Sequence, residues 1–424
     1  LRQRTMKKVG RHLIPFMIAM FCANFLDRVN ISFAALQMNH DLHLTPQVYG
    51  FAAGILFVAY TGLEIPSNLI LQRVGARLWL SRIMITWGLI AAANAFIFDK
   101  HSLYMMRLLL GAAEAGFFPG IMLYLVRWFP AKERAAAITI FMIGNPIAII
   151  VGAPISTTLL SLGNMFGIAA WRWLFVLEGL PSAALGVIAI WWLTDRPNDA
   201  KWLEPDEREW LTNVLVQEEE TRKSVSPKKV GNVFLHGPTL AFAASKFCVL
   251  LAFYGIALWL PQIVKSIGHL STIRTGFVSA IPYLCAAVGS ILVGRSSDRL
   301  GERPKHIAYP SFVGALGFVL AAYSGNIYLG MAGLCIAATG IWCNNTIFWT
   351  MPAALLSGTS AAAGFALINS VGNLGGFFGP SITGWVRAST GNYSLTLIIL
   401  GGFLALSGVI VLLIGQNDKR KAFA

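Results

Sequence analysis

Long apolar runs alternate with short polar stretches along most of the chain. The runs are about 20 residues long and do not alternate apolar and polar residues, which favours membrane-spanning helices over β-strands. The pattern therefore predicts an all-α integral membrane protein whose main solvent is the lipid bilayer. The predicted spans are 12–36, 49–71, 79–98, 103–125, 136–160, 170–194, 238–264, 275–294, 306–324, 327–354, 360–386 and 393–416.

A polar stretch separates the sixth span from the seventh. Within it, PDEREWLTNVLVQEEE has apolar residues at helical spacing, which predicts an amphipathic helix on the membrane surface. The sequence QRVGAR, after the second span, recurs as DRLGER after the eighth. Repeated six-span halves are typical of secondary transporters. We predict an N-terminal half at 1–197, a cytoplasmic linker at 198–236 and a C-terminal half at 237–424.

Composition and charge agree with a membrane protein. Hydrophobic residues make up 56% of the chain and charged residues 12%, whereas soluble domains carry about 25% charged residues. The net charge of +14 could indicate nucleic-acid binding, but Lys and Arg concentrate in alternate loops and in the central stretch. This bias follows the positive-inside rule. It predicts cytoplasmic termini in an inner (plasma) membrane and no nucleic-acid partner, and we expect a monomer.

Catalytic or metal-binding chemistry has little support in the sequence. The five cysteines lie in predicted spans without CxxC or Cys/His spacing, so neither disulfides nor a metal site is expected. The seven histidines are scattered, and the chain has no nucleophile–base set and no Walker-type loop. We therefore expect no enzyme activity, no cofactor and no ATP-driven transport.

Charges inside predicted spans are the candidate functional groups, because a charge at the bilayer centre is costly. Asp27 and Arg28, in NFLDRVNISF of the first span, point about 100° apart on a helix. Each needs a partner on another helix or a wet cavity. Arg107 and Glu114 share one face of the fourth span, where Arg107 could stabilise a deprotonated carboxylate. Glu114 is a candidate proton carrier, because burial favours the neutral acid. For each charge the alternative is a structural salt bridge.

Other polar and aromatic side chains in the spans outline a candidate cavity. Lys246 lies about two turns into the seventh span, within reach of the cytoplasmic surface, and its role stays open. Amides can bind hydroxyls or carboxylates, and interhelical hydrogen bonding is the alternative. Aromatic side chains could wall a site or simply pack. The candidates are Phe25, Tyr60, Asn145, Trp349 and Asn369.

At GRSSDRLGERPK (294–305) the chain resembles the major facilitator superfamily, whose signature is a basic turn between spans eight and nine. In the first half Gln72 replaces the Asp of this pattern, which puts one contact between helices in doubt. Within the superfamily the chain is similar to the anion:cation symporters, which include tartrate, galactonate, phthalate and hydroxyphenylacetate permeases. NFLDRVNISFA, YGFAAGILFVAYTGLEIPSNL and RLLLGAAEAGFFPG carry that similarity. The signature residues are Arg73, Gly75, Arg77, Gly294, Asp298, Arg299, Gly301 and Arg303.

The resemblance implies a twelve-span transporter that imports a small organic anion, such as a hydroxy or sugar acid, together with protons by alternating access. It implies that Asp27 and Glu114 couple protons and that Arg28 binds the carboxylate. Arg107 is a further candidate for substrate binding. By position in the family, Asn145 and Asn369 are ligand contacts. Aromatic carboxylates, sodium coupling and export by the same fold stay open as alternatives. A receptor or membrane enzyme is the alternative of a different class.

Overall fold

The computed structural model describes residues 1–224, 237–355 and 358–422. These residues are almost entirely α-helical, and no β-strand occurs among them. The helices are α1 (Arg2–Asp41), α2 (Pro46–Val74), α3 (Ala76–Ala93), α4 (Lys100–Glu114), α5 (Phe117–Trp128), α6 (Ala131–Met142), α7 (Gly144–Ser161), α8 (Ala170–Trp192), α9 (Pro205–Ser224), α10 (Gly237–Ala257), α11 (Leu260–Gly268), α12 (Thr272–Leu300), α13 (Arg303–Ala322), α14 (Ile327–Phe348), α15 (Thr350–Leu355), α16 (Gly358–Thr390) and α17 (Ser394–Ala422).

Helices of membrane-spanning length occur where the hydropathy pattern places them. Within the described ranges, 11 helical segments are long and apolar enough to cross a membrane. They coincide with all the predicted spans except 360–386. That span lies in α16, a helix of 33 residues that also contains many glycines and polar residues. The predicted fold class, an all-α multi-pass membrane protein, is confirmed.

Four predicted spans are each formed by two helices rather than one. The breaks are at Ala115–Gly116 in the fourth span, Ile143 in the fifth, Leu258–Trp259 in the seventh and Trp349 in the tenth. Most residues at the breaks are as apolar as their neighbours. A hydropathy pattern therefore cannot reveal the breaks, although one of them directly follows Glu114 and another is at Trp349, both candidate site residues.

One compact unit brings the helix of the predicted linker together with most of the first six predicted spans. Its segments are Leu1–Asn30, Ala59–Gly152 and Phe166–Ser226. Inside this unit α3 packs along α8 with the two backbones in direct approach. A Cβ atom at Gly88 would overlap the backbone nitrogen of Ala183, and one at Gly179 would overlap that of Ala92. Small residues therefore set the close approach of these helices, as is common in membranes.

The second compact unit contains the helices from α10 onwards. Its segments are Ile31–Val58, Ala153–Met165 and Pro227–Ala424. Inside it α16 packs along α10, again through glycines. A Cβ atom at Gly375 would lie 2.5 Å from the carbonyl oxygen of Phe247, and one at Gly379 would overlap that of Leu251. Larger residues at these positions would force the two helices apart.

A buried polar network connects four helices of the second unit. Asn344 donates hydrogen bonds of 3.0 Å to both Ser311 Oγ and Ser407 Oγ. The hydroxyl of Ser245 lies 2.8 Å from that of Ser407. All four side chains are fully buried. Since such bonds require one particular alignment, they fix the register of α10, α13, α14 and α17.

The two signature turns are held in different ways. In the second, Gly301 has φ of 69° and ends α12, and Arg303 pairs with Asp298 at 2.6 Å. In the first, Gly75 has φ of 99°, and the backbone N–H of Arg77 donates to Asp195 Oδ1 at 2.9 Å. An acidic group is therefore present at the first turn, but Asp195 after α8 supplies it rather than residue 72.

The remaining signature residues lie close to these contacts. Arg73 is in the last turn of α2. Gly294 and Arg299 are in α12, one before and one after Asp298. The first turn is therefore fixed to the segment that follows α8, whereas the second turn is stabilised by its own Asp298 and Arg303 side chains.

The amphipathic helix predicted in the linker is α9, and its acidic side chains bind basic residues of the same unit. Glu207 is fully buried and accepts from Arg4 Nε at 2.8 Å and Lys8 Nζ at 3.1 Å. Glu218 pairs with Arg134 of α6 at 3.1 Å. These contacts attach α9 to α1 and α6. Residues 225–236 of the predicted linker lie outside the described residues.

We expect Glu207→Gln to lower the free energy of unfolding by about 1–3 kcal/mol at neutral pH, because it removes a buried charged acceptor. Burial raises the pKa of Glu207, but hydrogen bonds and the Lys8 and Arg4 charges bring it below the ordinary 4.5. The stabilisation is therefore present above pH 4.5 and is lost as the pH falls through the lowered pKa. Thermal unfolding at several pH values measures the difference in stability between the wild type and the variant. Glu209→Gln is the control, because Glu209 is exposed on the same helix. A pH-independent difference would contradict the expectation.

Candidate functional site

Asp27 is completely buried in the first unit and is held by two helices other than its own. Its Oδ2 atom accepts a 2.8 Å hydrogen bond from Trp87 Nε1 in α3 and a 2.5 Å hydrogen bond from Ser182 Oγ in α8. Its Oδ1 atom has no hydrogen-bond partner in the part of the chain that the structure describes. A carboxylate with one oxygen bound and one unpartnered can accept a proton without losing its existing contacts.

Arg28 and Glu114 form a buried ion pair. Glu114 Oε2 lies 2.5 Å from Arg28 Nη2 and 3.1 Å from Nε. The side chain of Glu114 is 0% exposed and that of Arg28 is 11% exposed. The guanidinium also lies over the ring of Tyr60, 5.0 Å from its centroid. The acidic group of the fourth span therefore binds the arginine of the first, in the same unit as Asp27.

The backbone breaks directly after Glu114. Gly116 has φ of 87°, a left-handed conformation that favours glycine, and α5 starts at the next residue. Ser67 Oγ donates to the Ala115 carbonyl at 2.6 Å and accepts from Trp79 Nε1 at 3.0 Å. Glu114 is thus the last residue of its helix, beside a carbonyl group freed by the break and bound by α2.

The other predicted site residues of the first unit differ in burial. Arg107 is 0% exposed and lies two turns before Glu114 in α4. Phe25 is 3% exposed in α1. Asn145 is the second residue of α7 and is half-buried. The ion pair joins Arg28 and Glu114, and Tyr60 contacts Arg28 through its ring.

Of the two predicted site residues of the second unit, Trp349 lies against a lysine, Lys246. The Trp349 ring lies 5.1 Å from Lys246 Nζ. Asn369 is half-buried in α16, three residues before Gly372, and Gly372 adjoins the Lys246 side chain. Lys246 itself is 3% exposed, so the expectation that it reaches the cytoplasmic surface is wrong. The second unit thus has a buried cation of its own.

The geometry allows one chemical operation directly. A guanidinium binds carboxylates through paired N–H groups, and here Arg28 already binds Glu114. An external carboxylate that uses these N–H groups must compete with Glu114. Protonation of Glu114 would remove its charge and weaken its hold on Arg28. The site can therefore exchange an internal carboxylate for an external one when a proton binds.

Sequence reasoning missed Trp87 and Ser182, the two donors to Asp27. Trp87 has a recognisable signal, because a tryptophan in mid-span carries an N–H that needs an acceptor. Ser182 follows a proline in LEGLPS and resembles any small residue at a helix contact. We find no feature of the sequence that distinguishes it.

We expect Trp87→Phe to destabilise the protein by about 1.5–3 kcal/mol, because the indole N–H bond to a charged group is lost while an aromatic ring remains. Thermal unfolding of the purified protein measures the change. Trp191→Phe is the matched control, because Trp191 is 76% exposed on α8. Equal stability of the two variants would show that the hydrogen bond from Trp87 to Asp27 contributes nothing to the stability of the fold.

Comparison with known proteins agrees with the geometry. The sequence model of the Major Facilitator Superfamily matches residues 16–380. A protein of Agrobacterium vitis named "Putative tartrate transporter" is 42% identical over 99% of this chain and 93% of its own length. A "Quinolone resistance transporter" of Acinetobacter baumannii is 37% identical over 92% of each chain.

The fold also matches a solved structure. A bacterial homologue of the human lysosomal transporter Spinster, inward-facing and occupied, has a TM-score of 0.79 over 96% of this chain and 97% of its own. Its sequence identity is 16%, so this likeness concerns the fold alone. The family model covers most of the chain, and the relatives agree with an anion:cation symporter-like member. The chain belongs to the Major Facilitator Superfamily and is a multi-pass solute transporter, not an enzyme.

Proposed function

We propose that this protein imports a small organic anion together with protons. The observation that carries the proposal is the buried ion pair between Arg28 and Glu114, 2.5 Å apart. When a proton neutralises Glu114, Arg28 becomes available to the carboxylate of the substrate. The charge that Glu114 gives up is thereby replaced by the charge of the anion.

This competition couples the two ligands thermodynamically. If protonation of Glu114 strengthens anion binding, then bound anion strengthens protonation by the same factor. Asp27 is proposed as a second proton site, because its carboxylate is buried and has one oxygen without a described partner. Protons and substrate would then bind at the outer face and be released inside, because the proton activity is higher outside the cell.

The proposed substrate is a hydroxylated carboxylate. The Agrobacterium vitis relative is named for tartrate, and polar groups that can bind hydroxyls are available in both units. In the first unit these are Tyr60 and Asn145, with Arg107 as a further cation. In the second unit Asn369 is the candidate, and Trp349 and Phe25 are candidate walls in their respective units. An aromatic carboxylate is the alternative that such walls would favour.

The proposed transport is alternating access in which the halves 1–197 and 237–424 change orientation, with both termini cytoplasmic and the protein monomeric in the inner membrane. The basic N-terminal segment and the basic turn after α12 support this orientation through the positive-inside rule. Export is the second candidate, because the Acinetobacter baumannii relative is named for quinolone resistance.

Reconstituted vesicles test the proposal. Uptake of labelled L-tartrate should rise severalfold when the outside is more acidic, and a protonophore should cancel the increase. A sodium gradient without a pH gradient should have no effect. Tartrate uptake driven by a sodium gradient alone would contradict proton-coupled import. Efflux of tartrate without any uptake in the presence of a proton gradient would contradict it as well.

A further inference from the structure

A basic groove lies along the first three turns of α1, inside the first unit and apart from the buried carboxylates. Its volume is about 730 Å³. Four cations line it at positions i, i+3, i+4 and i+7, and hence on one face of the helix. These cations are Arg4, Lys7, Lys8 and Arg11, and His12 and Trp192 form the aromatic wall. The groove is therefore a concave, positively charged surface with one aromatic side.

Carboxylates of the same unit neutralise only part of this charge. Glu207 lies 2.8 Å from Arg4 Nε and 3.1 Å from Lys8 Nζ, so one carboxylate serves two cations. Glu204 lies 3.6 Å from Lys8 Nζ and is 57% exposed, which weakens its effect. The two cations paired with Glu207 thus attach α9 to α1, and the groove keeps a net positive charge.

Lys7 and Arg11 are the cations of the groove that carry this remaining charge. Both are exposed, and neither has a carboxylate within 4.0 Å among the side chains that the structure describes. They are four residues apart, where like charges on a helix repel each other. An anion bound between them would relieve this repulsion and accept charge-assisted hydrogen bonds from both. The groove therefore favours a compact anionic group such as a phosphate.

The aromatic wall is held in a fixed position. The ring of His12 stacks on Trp192 with 4.7 Å between the centroids, and Trp202 lies against its other side at 4.1 Å. Trp192 Nε1 also donates a hydrogen bond of 3.1 Å to the carbonyl oxygen of His12. The end of α8 is thereby attached to α1 beside the cations. The groove is preformed, so a ligand need not order it.

The position of the groove along the spans favours a lipid as the occupant. The first predicted span begins at residue 12 and the sixth ends at residue 194, so the groove lies where both helices leave the bilayer. Pro15 follows Arg11 by one turn and is also exposed, so this face of α1 continues into the span as an open apolar surface. Trp191, 76% exposed beside the groove, is typical of the headgroup level. A phosphate attached to acyl chains matches both parts of this surface.

We propose that the basic groove binds the headgroup phosphate of an anionic phospholipid, with Lys7 and Arg11 as its charge partners and Trp192 beside the glycerol region. The acyl chains lie along the exposed face of α1 that begins at Pro15. Bound lipid joins α1 and α8 at the membrane surface. This site is separate from the transported solute and does not depend on the direction of transport.

Native mass spectrometry of the detergent-solubilised protein tests this inference, because it counts the phospholipid molecules bound to each protein. The probes are phosphatidylglycerol and phosphatidylcholine with the same acyl chains, which differ in the net charge of the headgroup. The wild type should bind the first phosphatidylglycerol about tenfold more tightly, because cations near the surface attract anionic lipids. Lys7→Gln combined with Arg11→Gln should lose most of this preference, and each single variant should lose part of it. Both substitutions leave the contacts of Glu207 intact.

Lys132→Gln combined with Arg196→Gln is the matched control, because it removes the same charge from exposed positions that do not line the groove. The control should keep the preference for phosphatidylglycerol. Melting curves without added lipid show whether each variant is folded.

Four results would overturn the lipid site. The wild type shows no preference for phosphatidylglycerol, or the preference survives in the variant that lacks both Lys7 and Arg11. An equal loss in the control would assign the effect to the overall charge of the protein. Displacement of phosphatidylglycerol from the wild type by millimolar inorganic phosphate would make the groove a site for a free anion.

Discussion

Glu114→Gln is expected to abolish proton-driven accumulation of the substrate while exchange of substrate across the membrane persists. Glutamine resembles the protonated acid in shape and charge, so Arg28 loses its ionic partner at every pH. The anion can then bind without a proton, and the gradient no longer drives it. Uptake driven by a pH gradient and counterflow without a gradient, measured in the same vesicles, separate the two activities. Accumulation should fall to the level without a gradient.

The variant should also change how binding depends on pH. In the wild type, anion binding should strengthen as the pH falls, because protonation removes the competitor of the anion at Arg28. In Glu114→Gln this dependence should become weak. Glu64→Gln is the matched control, since Glu64 is also a buried glutamate of the first unit, 6% exposed, and is not among the predicted site residues. Intact pH-driven accumulation by Glu114→Gln would remove Glu114 from the coupling mechanism.

Arg28→Ala should eliminate substrate binding. Loss of a charge-assisted, paired hydrogen bond to a carboxylate costs about 2–5 kcal/mol, which is a decrease in affinity of roughly 30-fold to several thousandfold. Titration calorimetry or thermal shift with tartrate measures it. Arg28→Lys keeps the charge but loses the planar paired donors, so its affinity should lie between those of alanine and arginine.

Two further variants control for folding and for charge. Arg28→Ala leaves Glu114 buried without its arginine, and Arg28→Ala combined with Glu114→Gln avoids this unpaired charge. The double variant should be more stable than Arg28→Ala and should still fail to bind tartrate.

Arg82→Ala removes a half-buried arginine that lies over Trp79 at 3.8 Å, and tartrate binding should persist. Undiminished binding by Arg28→Ala would move the anion site to another cation.

Much of the fold follows from the sequence because lipid imposes a simple rule. Each apolar run must satisfy its backbone within itself and therefore forms a helix. The rule does not determine where a helix breaks. Ala115 and Gly116 continue the apolar run, yet the chain turns there because α2 supplies a donor, Ser67, for the freed carbonyl. That donor belongs to a residue 48 positions away.

The candidate site was predictable as a set of charges but not as a set of contacts. Asp27, Arg28 and Glu114 are recognisable because charges in apolar runs are costly. Their partners depend on which helices adjoin, and no local pattern shows that Arg28 pairs with Glu114 or that Trp87 and Ser182 bind Asp27. The same holds for the first signature turn, where Asp195 supplies the acidic group that the local motif lacks.

The central claim is that the proton and the anion bind together because Glu114 and the substrate compete for Arg28. Proton uptake on substrate addition measures this most directly, in weakly buffered purified protein followed with a pH indicator. We expect tartrate to cause proton uptake by the wild type and substantially less by Glu114→Gln. Tartrate binding without proton uptake by the wild type, or undiminished proton uptake by Glu114→Gln, would contradict the claim.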